Sequence, residues 1–353
     1  MTIKKQVYLF LFLGFFSLGF FLQNIGLILP AKYLNSPGTT WDIVNGMYSW
    51  LNVSYLEFGI VRRALIGTVL SPLIEIHRYV LFSLLTLISI LTVCFYLGKQ
   101  IQNETKKGYL LILLFIFSPL GAMNLGWMFG RFEAINFLIM LICINLVVRK
   151  KLIYVSVLLA IGTLIHEAFV FYAWPLILAP MLSRSLSYSY KNAIAVLILP
   201  SIVAFYLLVF GNSAADALGA YRGLIHLGTF SAIDILVIPA YILSLAYLHA
   251  KYLQLNNYDF DIISFSPYLS LMLFIFGIDY YRWLTILFVC IIFSVYTQSL
   301  VSKKEGQEST CINGIFPLSL VLFVGFPFLG PVGVEFAFPA FSDFLILFRT
   351  FNL

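Results

Sequence analysis

Residues 130–183, GRFEAINFLIMLICINLVVRKKLIYVSVLLAIGTLIHEAFVFYAWPLILAPMLS, decide the fold. Three apolar runs, 132–148, 152–165 and 168–183, are parted only by the basic turn Arg149-Lys150-Lys151 and by His166-Glu167. Apolar runs near about 20 residues cross a bilayer as helices. The shorter ones here predict helices that are broken or that end in a polar cavity. Working outward, the same pattern recurs at 7–29, 79–98, 109–123, 192–211, 232–250, 262–278, 283–301 and 311–330. Segment 60–76, IVRRALIGTVLSPLIEI, has apolar length but carries Arg62, Arg63, Pro72 and Glu75. It reads as a re-entrant or interfacial helix.

Composition agrees. Of 353 residues, 61% are hydrophobic and 10% charged, where soluble domains carry about 25% charged residues. This excludes a soluble globular enzyme, a disordered chain and a disulfide scaffold. Weak alternation excludes an outer-membrane barrel. The expectation is an all-α fold: a polytopic transmembrane helical bundle of about eleven spans. The first run follows Lys4 and Lys5 and is too long for a signal-peptide core, so it reads as a retained span. No repeat, low-complexity tract or linker interrupts the chain, so residues 1–353 read as a single integral membrane domain. Cys94, Cys143, Cys290 and Cys311 lie in or beside apolar runs and read as small buried apolar residues.

The net charge is +6. It reflects loop lysines that orient helices rather than a nucleic-acid partner. A cytoplasmic N-terminus puts eleven lysines inside with only Arg149 and Arg184. It leaves Lys32 outside with Arg62, Arg63, Arg78, Arg131, Arg222, Arg282 and Arg349. Topogenic charge needs only a positive group, whereas arginine is suited to holding a carboxylate or phosphate by its planar fork. The outer arginines therefore read as an anion-binding surface.

Five clusters fall on that face. Loop 30–59 carries Trp41, Asp42, Asn45, Tyr48, Trp50 and Glu57, aromatic rings and carboxylates that suit a sugar. Arg62-Arg63 stands at the head of an apolar segment between Gly59 and Gly67, placed to hold a diphosphate. Arg131 and Glu133 are two residues apart, so on a helix each needs a partner elsewhere. His166-Glu167 is the acid/base candidate, with Asp42 as rival. Asp279-Tyr280-Tyr281-Arg282-Trp283 forms a tight turn in which Asp279 and Arg282 can pair. Loop 212–231 adds Asp216, Tyr221, Arg222 and His226 as a lid or groove wall. The fold-neutral readings are an aromatic belt, arginines snorkelling to headgroups, and ion pairs that only tie helix ends. Zinc is disfavoured, because His166-Glu167 is not followed by a second histidine at HExxH spacing.

The order Gly130-Arg131-Phe132, span, Arg149-Lys150-Lys151, span, His166-Glu167 and Pro175, with the later Asp279-x-x-Arg282-Trp283, resembles the EpsG-like and Wzy-type polysaccharide polymerases over about 125–285. Asp42 in the first outer loop also resembles the catalytic aspartate of GT-C glycosyltransferases. The resemblance implies a helical bundle of the bacterial inner membrane with an outward-facing cavity. It implies a reaction without metal or cofactor that joins undecaprenyl-diphosphate-linked repeat units of O-antigen, capsule or exopolysaccharide, donor to acceptor. It implies a chain-length regulator and a flippase as partners beside the lipid bilayer. His166, Glu167 or Asp42 would then serve as base. Arg62, Arg63, Arg131, Glu133, Arg222, Asp279, Tyr281 and Arg282 would bind substrate. Competing readings are a GT-C transferase using a polyprenyl-phosphate sugar, a membrane O-acyltransferase, and a flippase or transporter of lipid-linked glycan.

Overall fold

A computed structural model describes residues 3–23, 50–105, 107–118, 120–127, 129–183, 186–211, 232–276 and 280–301. The described residues are all-helical. In chain order the helices are α1 (Ile3–Gln23), α2 (Tyr55–Phe58), α3 (Ala64–Leu70), α4 (Glu75–Glu104), α5 (Gly108–Phe117), α6 (Ala122–Trp127) and α7 (Glu133–Val148). Then come α8 (Leu152–Ile165), α9 (Phe169–Leu182), α10 (Tyr190–Phe210), α11 (Ala232–Leu255), α12 (Ile262–Phe265), α13 (Leu273–Phe276) and α14 (Tyr280–Val301). Short 3₁₀ turns cover Trp50–Asn52 and Ser266–Met272.

Among these, α10, α14 and the stretch of α4 from Val80 are long and apolar enough to cross a membrane. Helices α1, α5, α7, α8 and α9 are shorter apolar helices. Such helices mark a membrane protein, because only a lipid solvent tolerates this much outward apolar surface.

Two predicted spans are interrupted. The run 109–123 divides into α5 and α6 at Ser118. Ser118 precedes Pro119 and has extended backbone (ψ 139), as the residue before proline prefers. Its hydroxyl accepts the Leu120 N–H at 3.1 Å. The run 262–278 divides into α12, a 3₁₀ turn with Pro267 at its start, and α13. The predicted interfacial segment 60–76 holds only the seven residues of α3 before α4 begins. Predicted span 311–330 lies outside the described residues.

Helix α14 is the axis of the bundle. Of its apolar window 89% is buried, against 33% in α4 and 22% in α10. It packs on α4, α9, α11 and the Ser266–Met272 turn, while α7 packs on α4, α8 and α9. Side-chain hydrogen bonds fasten neighbours to this axis, since unmet polar groups in an apolar interior cost about 1–3 kcal/mol each. Asn124 of α6 donates to Thr285, Ser294 donates to the Ile263 carbonyl at 2.8 Å, and Gln298 donates to Asp261 at 2.8 Å. Asp261 in turn caps α12 by accepting from the Ile263 and Ser264 N–H groups.

Candidate functional site

Four chain regions bring charge to one end of the bundle. The first is the turn before α3. Arg63 adopts a left-handed conformation (φ 63, ψ 14) as the N-cap of α3, a backbone state that few non-glycine residues take. What lies behind it is fixed. A Cβ on Gly67 would strike the Val53 carbonyl. Thr68 accepts the Tyr55 N–H at 2.7 Å while donating to the Ala64 carbonyl at 2.7 Å.

The second region is the junction of α8 and α9. Helix α8 stops because His166 is extended (φ −156, ψ 119), and Phe169 N–H closes the turn on the His166 carbonyl at 3.0 Å. Gly162 leaves room for the Phe169 ring, which a Cβ there would strike. The third and fourth regions are the first residues of α7 and α14, which carry Glu133 and Arg282.

Two ion pairs result. Arg63 Nε donates to both Glu167 oxygens at 3.0 Å, and Nη2 donates to Oε1 at 2.5 Å. This is the forked geometry of a strong guanidinium–carboxylate pair, and its side chains are 28% and 32% accessible. The deeper pair is Arg282 Nη2 to Glu133 Oε1, at 8% each. Arg282 also lies over the Trp283 ring, 4.6 Å from its centroid, a cation–π contact.

His166 stands between the pairs. Its Nδ1 accepts the Ala168 N–H at 3.1 Å, so the proton of the neutral ring belongs on Nε2. Nε2 lies 3.4 Å from Glu133 Oε1 and 3.2 Å from Arg282 Nη2. Burial, then the Arg63 and Arg131 charges, lower the His166 pKa to about 3, against the opposing pull of Glu167. Burial works to raise the Glu167 carboxyl, but Arg63 and His166 outweigh it and hold the group below the usual carboxylate range. At neutral pH His166 is therefore uncharged and Glu167 ionised.

The structure thus brings Arg63, Arg131, Glu133, His166, Glu167 and Arg282 together. It pairs Arg63 with Glu167, and Arg282 with Glu133, where the sequence offered Asp279 for Arg282. His166 and Glu167 do not form an isolated dyad. Nδ1 and Oε2 are 3.8 Å apart, and Nδ1 is already engaged by Ala168. Arg62 sits half-buried in the turn beside Arg63, and no described contact ties it to the cluster. Tyr281 lies in α14 next to Arg282, its side chain outside the described set. Asp42, Arg222 and Asp279 fall outside the described residues.

Two further residues were missed from sequence. Asn136 lies one turn below Glu133 in α7, and Tyr172 faces it from α9. Both are fully buried. The Tyr172 hydroxyl stands near Asn136, short of hydrogen-bonding geometry. Glu133 Oε2 and both Asn136 polar atoms have no hydrogen-bond partner among the described residues. An asparagine inside the run EAINFLIM was the available signal, since an amide in an apolar helix needs a reason to be there.

No protein-family model, no curated protein and no solved structure matches this chain.

Proposed function

We propose that the chain is a polytopic membrane glycosyltransferase that joins glycan repeat units carried on a polyprenyl diphosphate. Its span count is about eleven, as the hydropathy pattern predicts. Its N-terminus faces the cytoplasm, and its site faces the outer side of a bacterial inner membrane. One observation carries the reading. Three arginines, two glutamates and a neutral histidine, remote in sequence, converge where apolar helices end. Charge at membrane depth is expensive and marks function.

The geometry supports the following chemistry. The acceptor hydroxyl oxygen attacks the anomeric carbon of the donor, and the bond from that carbon to the diphosphate oxygen breaks. The lipid diphosphate leaves with the bonding electrons. Arg131 and the Arg63 guanidinium, which is shared with Glu167 at the partly open end of the cluster, face this growing negative charge. The proton of the hydroxyl passes to a carboxylate. Arg63 donates to both Glu167 oxygens and His166 is hard to protonate, so neither is placed to take the proton. Glu133 offers Oε2, which Arg282 leaves open, and we assign it the role of base.

The test is the surface glycan of a host strain lacking this gene, complemented with variants. Wild type restores the ladder. Arg63→Ala, Glu133→Gln and Arg282→Ala are each expected to leave a single repeat unit, Arg63→Ala at normal protein abundance because its pair is partly open to solvent. A normal ladder from all three, or from the deletion strain itself, sinks the reading.

A further inference from the structure

A cavity of ≈ 380 Å³ lies between α1, α4, α5 and α14, within the range of about 300–1,000 Å³ that ligand sites occupy. Its walls are apolar and include Phe12, Ile90, Leu97, Phe115, Phe137 and Ile292. The polar residues on its margin, Lys99 and Gln102, belong to the C-terminal end of α4.

That margin lies far from the ion pairs. The Phe82 ring packs edge-on against Phe132, 5.5 Å between centroids, so Phe82 marks the depth of neighbouring Glu133. Lys99 is roughly 25 Å further along α4 at 1.5 Å per residue. A bilayer hydrocarbon core is about 30 Å thick, which places Lys99 at the opposite interface. Other lysines share that end. Lys107 opens α5, and Lys150 follows α7 and lies over the Tyr188 ring. A phosphate held by Arg63 or Arg131 cannot also reach Lys99.

The cavity wall contains its own test position. A Cβ on Gly98 would meet only Ile112 Cδ1, at 3.9 Å. A larger side chain there would enter the cavity rather than collide with backbone.

We propose that this cavity is an acyl-chain site for an anionic glycerophospholipid of the leaflet at the Lys99 end. One chain lies along α4 between α1 and α5, and the phosphate meets Lys99, with Gln102 as a hydrogen-bonding neighbour. The charge supports this occupant: basic residues at a membrane surface select anionic headgroups, while an apolar channel selects the chain. The inference rests on the membrane character of the protein and not on its glycan chemistry.

The purified full chain would be incorporated in nanodiscs with phosphatidylglycerol carrying a diazirine midway along one acyl chain. After irradiation, cross-linked peptides would be mapped by mass spectrometry. Cross-links are expected on residues 90–102 of α4 and on α5. Gly98→Phe should reduce them by about fivefold or more, because it fills the channel. Lys99→Glu should weaken labelling by the phosphatidylglycerol probe about fivefold, with the matching phosphatidylcholine probe little changed. Labelling spread over all lipid-facing helices, or absent from α4, overturns the site. Equal labelling by the two probes overturns the headgroup assignment. If Gly98→Phe does not fold, unlabelled phosphatidylglycerol must still compete with the probe in wild type, and failure to compete overturns the proposal.

Discussion

At the scale of single residues, the two ion pairs differ in what surrounds them, and so in what they do for the fold. Glu133 and Arg282 are buried, so removing one partner strands the other charge. Arg282→Met is expected to destabilise by about 3–5 kcal/mol, and the double variant Glu133→Gln/Arg282→Met should recover most of that loss, because a buried pair replaced as a unit is near neutral. Thermal unfolding in detergent checks both. The Arg63–Glu167 pair is one third open to solvent, so Arg63→Ala should cost little stability, about 1 kcal/mol or less, while abolishing polymer.

His166 adds a pH dependence. Its folded pKa of about 3 lies below its ordinary 6.5, so acid protonates the unfolded chain first. Stability is then complete above pH 6.5 and falls as the pH drops toward about 3. Between about pH 6.5 and 5 the loss should be near 2 kcal/mol, and His166→Gln should flatten it. Glu167, also lowered, contributes only below its ordinary carboxylate range, so the two are separable. A wild-type midpoint that does not move over that interval contradicts the neutral, buried assignment of His166.

At the scale of elements, the site depends on close approaches that sequence periodicity does not show. Helix α3 is only seven residues, too short to persist alone. It is held by Gly67 against the Val53 carbonyl and by Thr68 bridging to Tyr55. Gly67→Ala places a methyl group on backbone that cannot yield, and should cost about 1–3 kcal/mol while displacing Arg63 from Glu167. At Gly162 the obstacle is the Phe169 ring, a side chain that can rotate. Gly162→Ala should therefore be milder in stability but should shift the α8–α9 turn that carries His166 and Glu167. Loss of polymer with a small change in midpoint is the expected pattern, and wild-type activity would show that the turn is set elsewhere.

At the scale of the whole molecule, the ionic cluster and the lysine-rich end lie at opposite ends of α4 and α7. If the bundle crosses the membrane as the charge pattern predicts, a cysteine at Arg62, beside the cluster, should react with a membrane-impermeant maleimide from outside. A cysteine at Lys151 should react only after lysis. The reverse pattern would invert the orientation, and with it the assignment of the site to the outer face.

Helical class, membrane character and the identity of the charged residues could be read from the chain alone, because hydropathy over a helix length and the exclusion of charge from lipid are local rules. The charged residues of the cluster were all legible as candidates before their neighbours were known. Tertiary structure decided the partners. Arg282 sits three residues from Asp279 in sequence but meets Glu133, and Arg63 meets Glu167 across more than one hundred residues. Sequence spacing predicts contacts only along one helix, and these pairs are made between helices. The breaks before Pro119 and Pro267 follow a local rule, whereas packing decided the burial of α14 and the place of Asn136 and Tyr172 beneath the ion pairs. These last depend on what the neighbouring helices leave uncovered, which a single segment of sequence does not encode.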